Sequence, residues 1–120
     1  MEPKTVILCP NPDRDHGMKA TKAAIQLLQE AGFRTVVCSP FRDPKAGAFD
    51  DLAIKPLLSE LKNASLIITL GGDGTILHLA KLAALHRIPM LGINMGAVLV
   101  LIPKMAAMLM EGLLPVSDAA

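Results

Sequence analysis

Aromatic side chains are nearly missing from this 120-residue chain, which has no Trp, no Tyr and three Phe. A core built without them must be aliphatic, and a hydrophobic content of 52% is enough to supply one. Charge imbalance is missing too. A formal net charge of +1 provides no basic field for nucleic acid and no acidic tail. Cysteine is limited to Cys9 and Cys38, each at the end of an apolar run. The pair reads as buried thiols in a reducing compartment, although sequence leaves a disulfide between them open. No apolar run is long enough for a membrane helix. The longest, residues 89–103, is interrupted by Asn94, bracketed by prolines and shorter than the ~20 residues a span requires. Met1-Glu2-Pro3-Lys4 leads straight into a strand-like run rather than a secretory leader. These absences describe a soluble, cytoplasmic protein with neither nucleic acid nor membrane as partner.

What is present alternates. Thr5-Val6-Ile7-Leu8-Cys9, Thr35-Val36-Val37-Cys38, Leu66 to Leu70 and Met90-Leu91-Gly92-Ile93 are short apolar or β-branched runs. Such continuous runs suit strands buried on both faces, as in a parallel sheet. Helical spacing separates them. Ala20, Ala23, Ala24, Leu27, Leu28 and Ala31 predict a helix from about Met18, with Gly32 as its stop. Ile54, Leu57, Leu58 and Leu61 predict a second, with Pro56 in its first turn. Ile76, Leu77, Leu79, Ala80, Ala83 and Ala84 predict a third, reaching about His86. The polar stretch from Pro40 to Asp51 reads as a long surface loop. This order predicts an α/β fold with a parallel sheet, and ligands then bind beyond the carboxyl ends of the strands. Three loops converge there: Pro10–Gly17, Gly71–Thr75 and Asn94–Gly96. Residues 1–96 form the α/β domain. Residues 97–120 form an apolar tail with the pattern of a strand followed by a Met- and Ala-rich helix.

The chemistry concentrates in Leu70-Gly71-Gly72-Asp73-Gly74-Thr75, at the join of a buried strand and a helix. The amides of such a turn favour an anion, most often phosphate. The turn has neither the lysine of a Walker loop nor the dinucleotide fingerprint. A carboxylate among the amides is the informative feature. Asp73 would repel a phosphate unless it bound Mg²⁺ or took a proton from a hydroxyl nucleophile, and both roles fit phosphoryl transfer. The plain alternative is Asp73 as N-cap of a helix over Thr75–His86, worth about 0.5–2 kcal/mol. His16 and His86 read as surface residues. Asp13 and Arg14 lie on the expected edge and read as a solvated loop.

Gly71-Gly72-Asp73-Gly74-Thr75 resembles the GGDGT motif of the NAD kinase family. About twenty residues later, Pro89 to Gly96 resembles that family's second signature, in which a strand runs into Asn-x-Gly. The opening strand, Asn11-Pro12 and the first helix also sit where the family places them. The resemblance spans Thr5 to Gly96. It implies a Rossmann-like, phosphofructokinase-like N-terminal domain and transfer of the ATP γ-phosphate to the adenosine-ribose 2′-hydroxyl of NAD. By the same resemblance Asp73 is the proton acceptor, and Asp73, Gly74 and His78 contact NAD. Gly71, Gly72 and Thr75 help form the phosphate and metal pocket, with Mg²⁺ or another divalent metal as cofactor. The family is typically homo-oligomeric.

The pattern departs after Gly96. The family continues with a Leu-Gly-Phe type turn, whereas this chain has Ala97-Val98-Leu99-Val100. None of the 120 residues resembles the family's β-rich C-terminal domain, so the isolated stretch is expected to turn over negligibly, because positioning supplies much of the rate. GGDGT is also shared with diacylglycerol and sphingosine kinases. A lipid kinase domain, or a nucleotide-binding or interaction domain without catalysis, are the other readings.

Overall fold

A computed structural model describes residues 4–40 and 47–95. β1 (Thr5–Pro10) leads through a 3₁₀ turn (His16–Met18) into α1 (Lys19–Glu30), followed by β2 (Arg34–Cys38) and β3 (Ile54–Lys55). α2 (Leu57–Glu60) and a 3₁₀ turn (Leu61–Asn63) precede β4 (Ala64–Gly71), α3 (Asp73–Leu85) and β5 (Met90–Asn94). The five strands form one sheet in the order β3-β2-β1-β4-β5, with every pairing parallel. The expected α/β fold is therefore present. The tail over residues 97–120 lies outside the described residues.

Strand geometry explains the unbroken apolar runs. Side chains alternate between the two faces of a strand, so a strand covered on both faces must be apolar throughout. Val6 and Leu8 join Leu66, Ile68 and Leu70 under Ala20, Ala24 and Leu28 of α1. Ile7 and Cys9 point the other way and join Ile67 and Cys38 under Leu61 and the α3 residues Leu79 and Ala83. Each fully buried Leu or Ile contributes about 1.5–3 kcal/mol relative to exposure, and both faces draw on the central strands β1 and β4.

Four details differ from the sequence reading. Ile54 belongs to the short edge strand β3 rather than to a helix, and α2 spans only Leu57–Glu60. Lys55, the residue before Pro56, is held extended because the proline ring disfavours the helical region for its immediate predecessor, so the helix starts only at Leu57. Phe49 is buried, so the stretch read as a surface loop contributes to the core. α3 begins at Asp73, earlier than the apolar periodicity indicated. On that helix Leu77 is 61% exposed while Leu79 and Ala83 are buried, so only part of its apolar pattern faces the sheet.

Cys9 and Cys38 are both free and buried in the same cluster. They occupy neighbouring strands, one position beyond the paired Leu8 and Val37. Burial, and secondarily the neighbouring Cys38, pushes the Cys9 thiol up. Burial, and secondarily the Glu60 charge, pushes Cys38 up to about 12. A raised folded-state value favours the protonated native state. The corresponding stability is fully present below the ordinary value of 9.0 and is lost as the pH rises toward 12. The native protein is expected to leave both thiols unreacted with iodoacetamide at pH 8 and to release both on denaturation, counted by mass. Its denaturant midpoint should fall between pH 9 and pH 11. Prompt native alkylation would contradict the burial.

Candidate functional site

Along the sheet the chain steps outward from β1 to β2 and β3, then returns and steps the other way from β4 to β5. The reversal falls between β1 and β4, and a crevice opens beyond the carboxyl ends at such a point. The loops after these two strands are fastened together there. The Asn11 N–H donates to the Leu70 carbonyl at 2.8 Å. The Asn11 side chain donates from Nδ2 to Thr75 Oγ1 at 3.1 Å, and its Oδ1 accepts the Asp13 N–H at 2.9 Å. Gly71 sits beneath this clasp. A Cβ built on it would lie 3.1 Å from Asn11 Cβ and 3.3 Å from Thr75 Cβ, so a larger residue would prise the two loops apart.

The first loop is anchored from inside. Asp15 is 2% exposed although charged. Its Oδ1 accepts the Ala20 N–H at 3.0 Å, and its Oδ2 accepts the Thr21 N–H at 2.8 Å and the Thr21 hydroxyl at 2.6 Å. The two N–H groups are orphan donors of the first turn of α1. Asp15 thus does the work of an N-cap from outside the helix, across a turn in which Gly17 and Met18 both have positive φ.

Asp73 is not an N-cap. Gly72 holds that position in extended geometry, Asp73 is the first residue of α3, and no side chain caps this helix start. The plain alternative for Asp73 is corrected accordingly. Its carboxylate is exposed in the first turn, where the helix dipole favours negative charge. Register brings the two sequence motifs together: Gly71 at the end of β4 pairs with Asn94 at the end of β5. Asn94 Nδ2 then donates to Asp73 Oδ1 over a long 3.4 Å. β5 reaches this position because Gly92 lets it lie against α3. A Cβ there would come within 2.9 Å of Ile76 Cγ2. The convergence of three loops is observed up to Met95; Gly96 lies outside the described residues.

Gly74, Thr75 and His78 face a different feature, an open cleft of about 1110 Å³ between α3 and the segment from β3 into α2. Gly74, His78 and Leu82 recur every four residues and so form one stripe of α3 along the cleft. Ser39, Lys55, Leu57 and Leu58 line the opposing side. Gly74 has no packing reason to lack a side chain, since a Cβ there would meet nothing within 4 Å. Glycine inside a helix costs about 0.5–1 kcal/mol relative to alanine.

The predicted residues therefore divide along the start of α3. Gly71 and Gly72 meet the β1 loop, Asp73 meets Asn94, Gly74 and His78 meet the cleft, and Thr75 touches both the β1 loop and the cleft. His16 and His86 are exposed. Sequence reasoning missed the far wall of the cleft. Pro40 after β2 and Pro56 after β3 were the available signals, hidden once Ile54 was assigned to a helix. Among the described residues no three His, Cys, Asp or Glu side chains gather into a metal site, and no helix is long and apolar enough to cross a membrane.

Residues 6–102 match the family described as the ATP-NAD kinase N-terminal domain. The chain is similar to the NAD kinase of Ruminiclostridium cellulolyticum, with 35% identity over 95 residues, covering 78% of this chain and 32% of the relative. It is 33% identical over 103 residues to the NAD kinase of Corynebacterium diphtheriae, covering 81% of this chain and 32% of the relative. Over a shorter stretch of 40 residues it is 52% identical to the NAD kinase of Heliobacterium modesticaldum, covering 33% of this chain and 14% of the relative. The chain spans about a third of the length of the first two relatives. With both motifs held at one sheet edge and the family match running through them, this chain belongs to the ATP-NAD kinase family, over that family's N-terminal domain.

Proposed function

We propose that the complete protein phosphorylates NAD to NADP at the expense of ATP, with Asp73 as the proton acceptor. The adenosine-ribose 2′-oxygen attacks the γ-phosphorus of ATP. The bond from that phosphorus to the β,γ-bridging oxygen breaks, ADP leaves, and the 2′-hydroxyl proton passes to the Asp73 carboxylate. The observation that carries this reading is the pairing of Gly71 with Asn94, which sets the carboxylate of the first motif beside the amide of the second. An exposed carboxylate in a glycine turn has room to meet a hydroxyl, and among the described residues no side-chain bond competes for it beyond the long Asn94 contact. Family membership supports the substrate pair.

Gly74 and His78 are assigned to NAD, on the cleft they share. Gly71, Gly72 and Thr75 are assigned to the phosphates. A lone exposed carboxylate suits Mg²⁺, which is commonly bound by one or two carboxylates together with substrate phosphates. Asp73 would be its protein ligand, and the metal would neutralise phosphate charge. Homo-oligomerisation and a cytoplasmic location belong to this same proposal.

The test is an acceptor comparison with the full-length protein, supplying ATP with NAD or with diacylglycerol. Phosphate transfer to NAD is expected. Transfer to the lipid instead would select the other GGDGT chemistry. Gly74→Ala gives a second check, because it should separate stability from function. It should stabilise the fold by up to ~1 kcal/mol, since the site is open and alanine favours the helix. The added methyl should raise KM for NAD by about 10-fold, the size of effect that a lost close contact of 1–2 kcal/mol produces. An unchanged KM would remove Gly74 from the NAD site.

A further inference from the structure

Arg14 lies against the glycine loop, and among the described residues no ion pair neutralises it. A Cβ built on Gly72 would lie 3.4 Å from Arg14 Nη2 and 3.5 Å from both Cζ and Nε. The guanidinium therefore lies along the loop backbone over the position where any other residue would carry a side chain. Among the described residues it makes no ion pair, and the ion pairs that do occur join Lys22 to Asp50 and Asp51. Three carboxylates are close in sequence or space, and none takes it: the adjacent Asp13 is exposed and forms no ion pair with it among the described residues. Asp15 is buried and occupied by Ala20 and Thr21. Asp73 follows Gly72 directly, yet its contact is with Asn94. Nor is Arg14 on a loose segment. Its N–H and that of Asp15 both donate to the Asn11 carbonyl at 2.9 Å, and Asn11 is clasped to Leu70 and Thr75.

We infer that Arg14 binds the polyphosphate chain of the phosphoryl donor, holding it against the Gly72 backbone. This rests on the kinase reading and adds a residue to it. A guanidinium is suited to the task because its planar fork matches phosphate oxygens and stays charged at any working pH. Its position also divides the substrates. Arg14 belongs to the loop leading into α1, which covers one face of the sheet. The cleft with Gly74 and His78 runs beside α3, on the other face. The donor approaches from the Arg14 side and the acceptor from the cleft, with Asp73 between them at the start of α3.

The test uses full-length wild-type, Arg14→Gln and Arg14→Lys proteins, with inorganic tripolyphosphate binding by calorimetry alongside steady-state kinetics. Arg14→Gln should raise KM for ATP and weaken tripolyphosphate binding, each by about 10- to 100-fold, as loss of a charge-assisted hydrogen bond does. KM for NAD should stay within about twofold, and Arg14→Lys should recover part of the loss by restoring charge without the fork. Equal melting temperatures for the three proteins would exclude a folding cause. Unchanged ATP KM and tripolyphosphate affinity in Arg14→Gln would overturn the inference while leaving the kinase reading intact. Tripolyphosphate binding that depends on Arg14 in a wild-type protein making no NADP would sink the kinase reading and leave this one standing.

Discussion

Asp73→Asn in the full-length protein is expected to lower NADP formation by about 10²-fold or more, the usual worth of a positioned general base. The fold should hardly notice. Asp73 is exposed, it caps no helix, and asparagine has the same shape. What is lost in stability is the charge on the helix dipole, about 0.3–1 kcal/mol. Asn94 can still donate to the remaining oxygen, as it now does at 3.4 Å. A thermal melt and a rate on the same preparation therefore separate chemistry from structure. The loss should appear in kcat at saturating NAD and ATP, because a proton acceptor acts in the transition state rather than in ground-state binding. A variant that keeps wild-type turnover would leave Asp73 as a spectator, and a rise in KM alone would make it a binding residue.

The largest stability effect should come from Asp15→Ala. The substitution strips the acceptor from two backbone N–H groups and one hydroxyl, all buried. Unsatisfied buried donors cost about 1–3 kcal/mol each, and a lost helix cap about 0.5–2 kcal/mol. Water entering the vacated space recovers part of that, so about 3 kcal/mol is expected from denaturant midpoints. Asp15→Asn keeps one acceptor oxygen and should lose roughly half as much. A loss below about 0.5 kcal/mol for Asp15→Ala would show that the buried carboxylate is not what fixes the start of α1. The same loop carries Asn11 and Arg14, so Asp15 helps fix the segment that presents them.

That residue also marks where sequence reading stops. The strands were legible because each central run is apolar at every position, as burial on both faces demands. The glycine loop was legible because its residues are consecutive. In the sequence Asp15 is one polar residue in a polar loop. It caps its helix across an intervening 3₁₀ turn, where Gly17 and Met18 both take positive φ, rather than from the adjacent position where capping signals are sought. Ile54 was misassigned because a two-residue edge strand has no period of its own, and its spacing to Leu57, Leu58 and Leu61 mimics a helix. That error hid the cleft, since the wall opposite Gly74 and His78 follows β3. Arg14 reads in the sequence as one residue of a solvated loop, and it is exposed. The role proposed for it depends on Gly72, far away in sequence, and on the absence of an ion pair among the described residues. Local spacing reports neither.

The account is tested most directly by following the γ-phosphate of ATP, isotopically labelled, into product made by the full-length protein. With NAD as acceptor the label should appear on the adenosine-ribose 2′-oxygen of NADP, and the Asp73→Asn protein should yield about 10²-fold less of it in the same time. Label that remains with ATP, moves to a different acceptor, or reaches NADP equally fast without the Asp73 carboxylate would contradict the role given to the glycine loop.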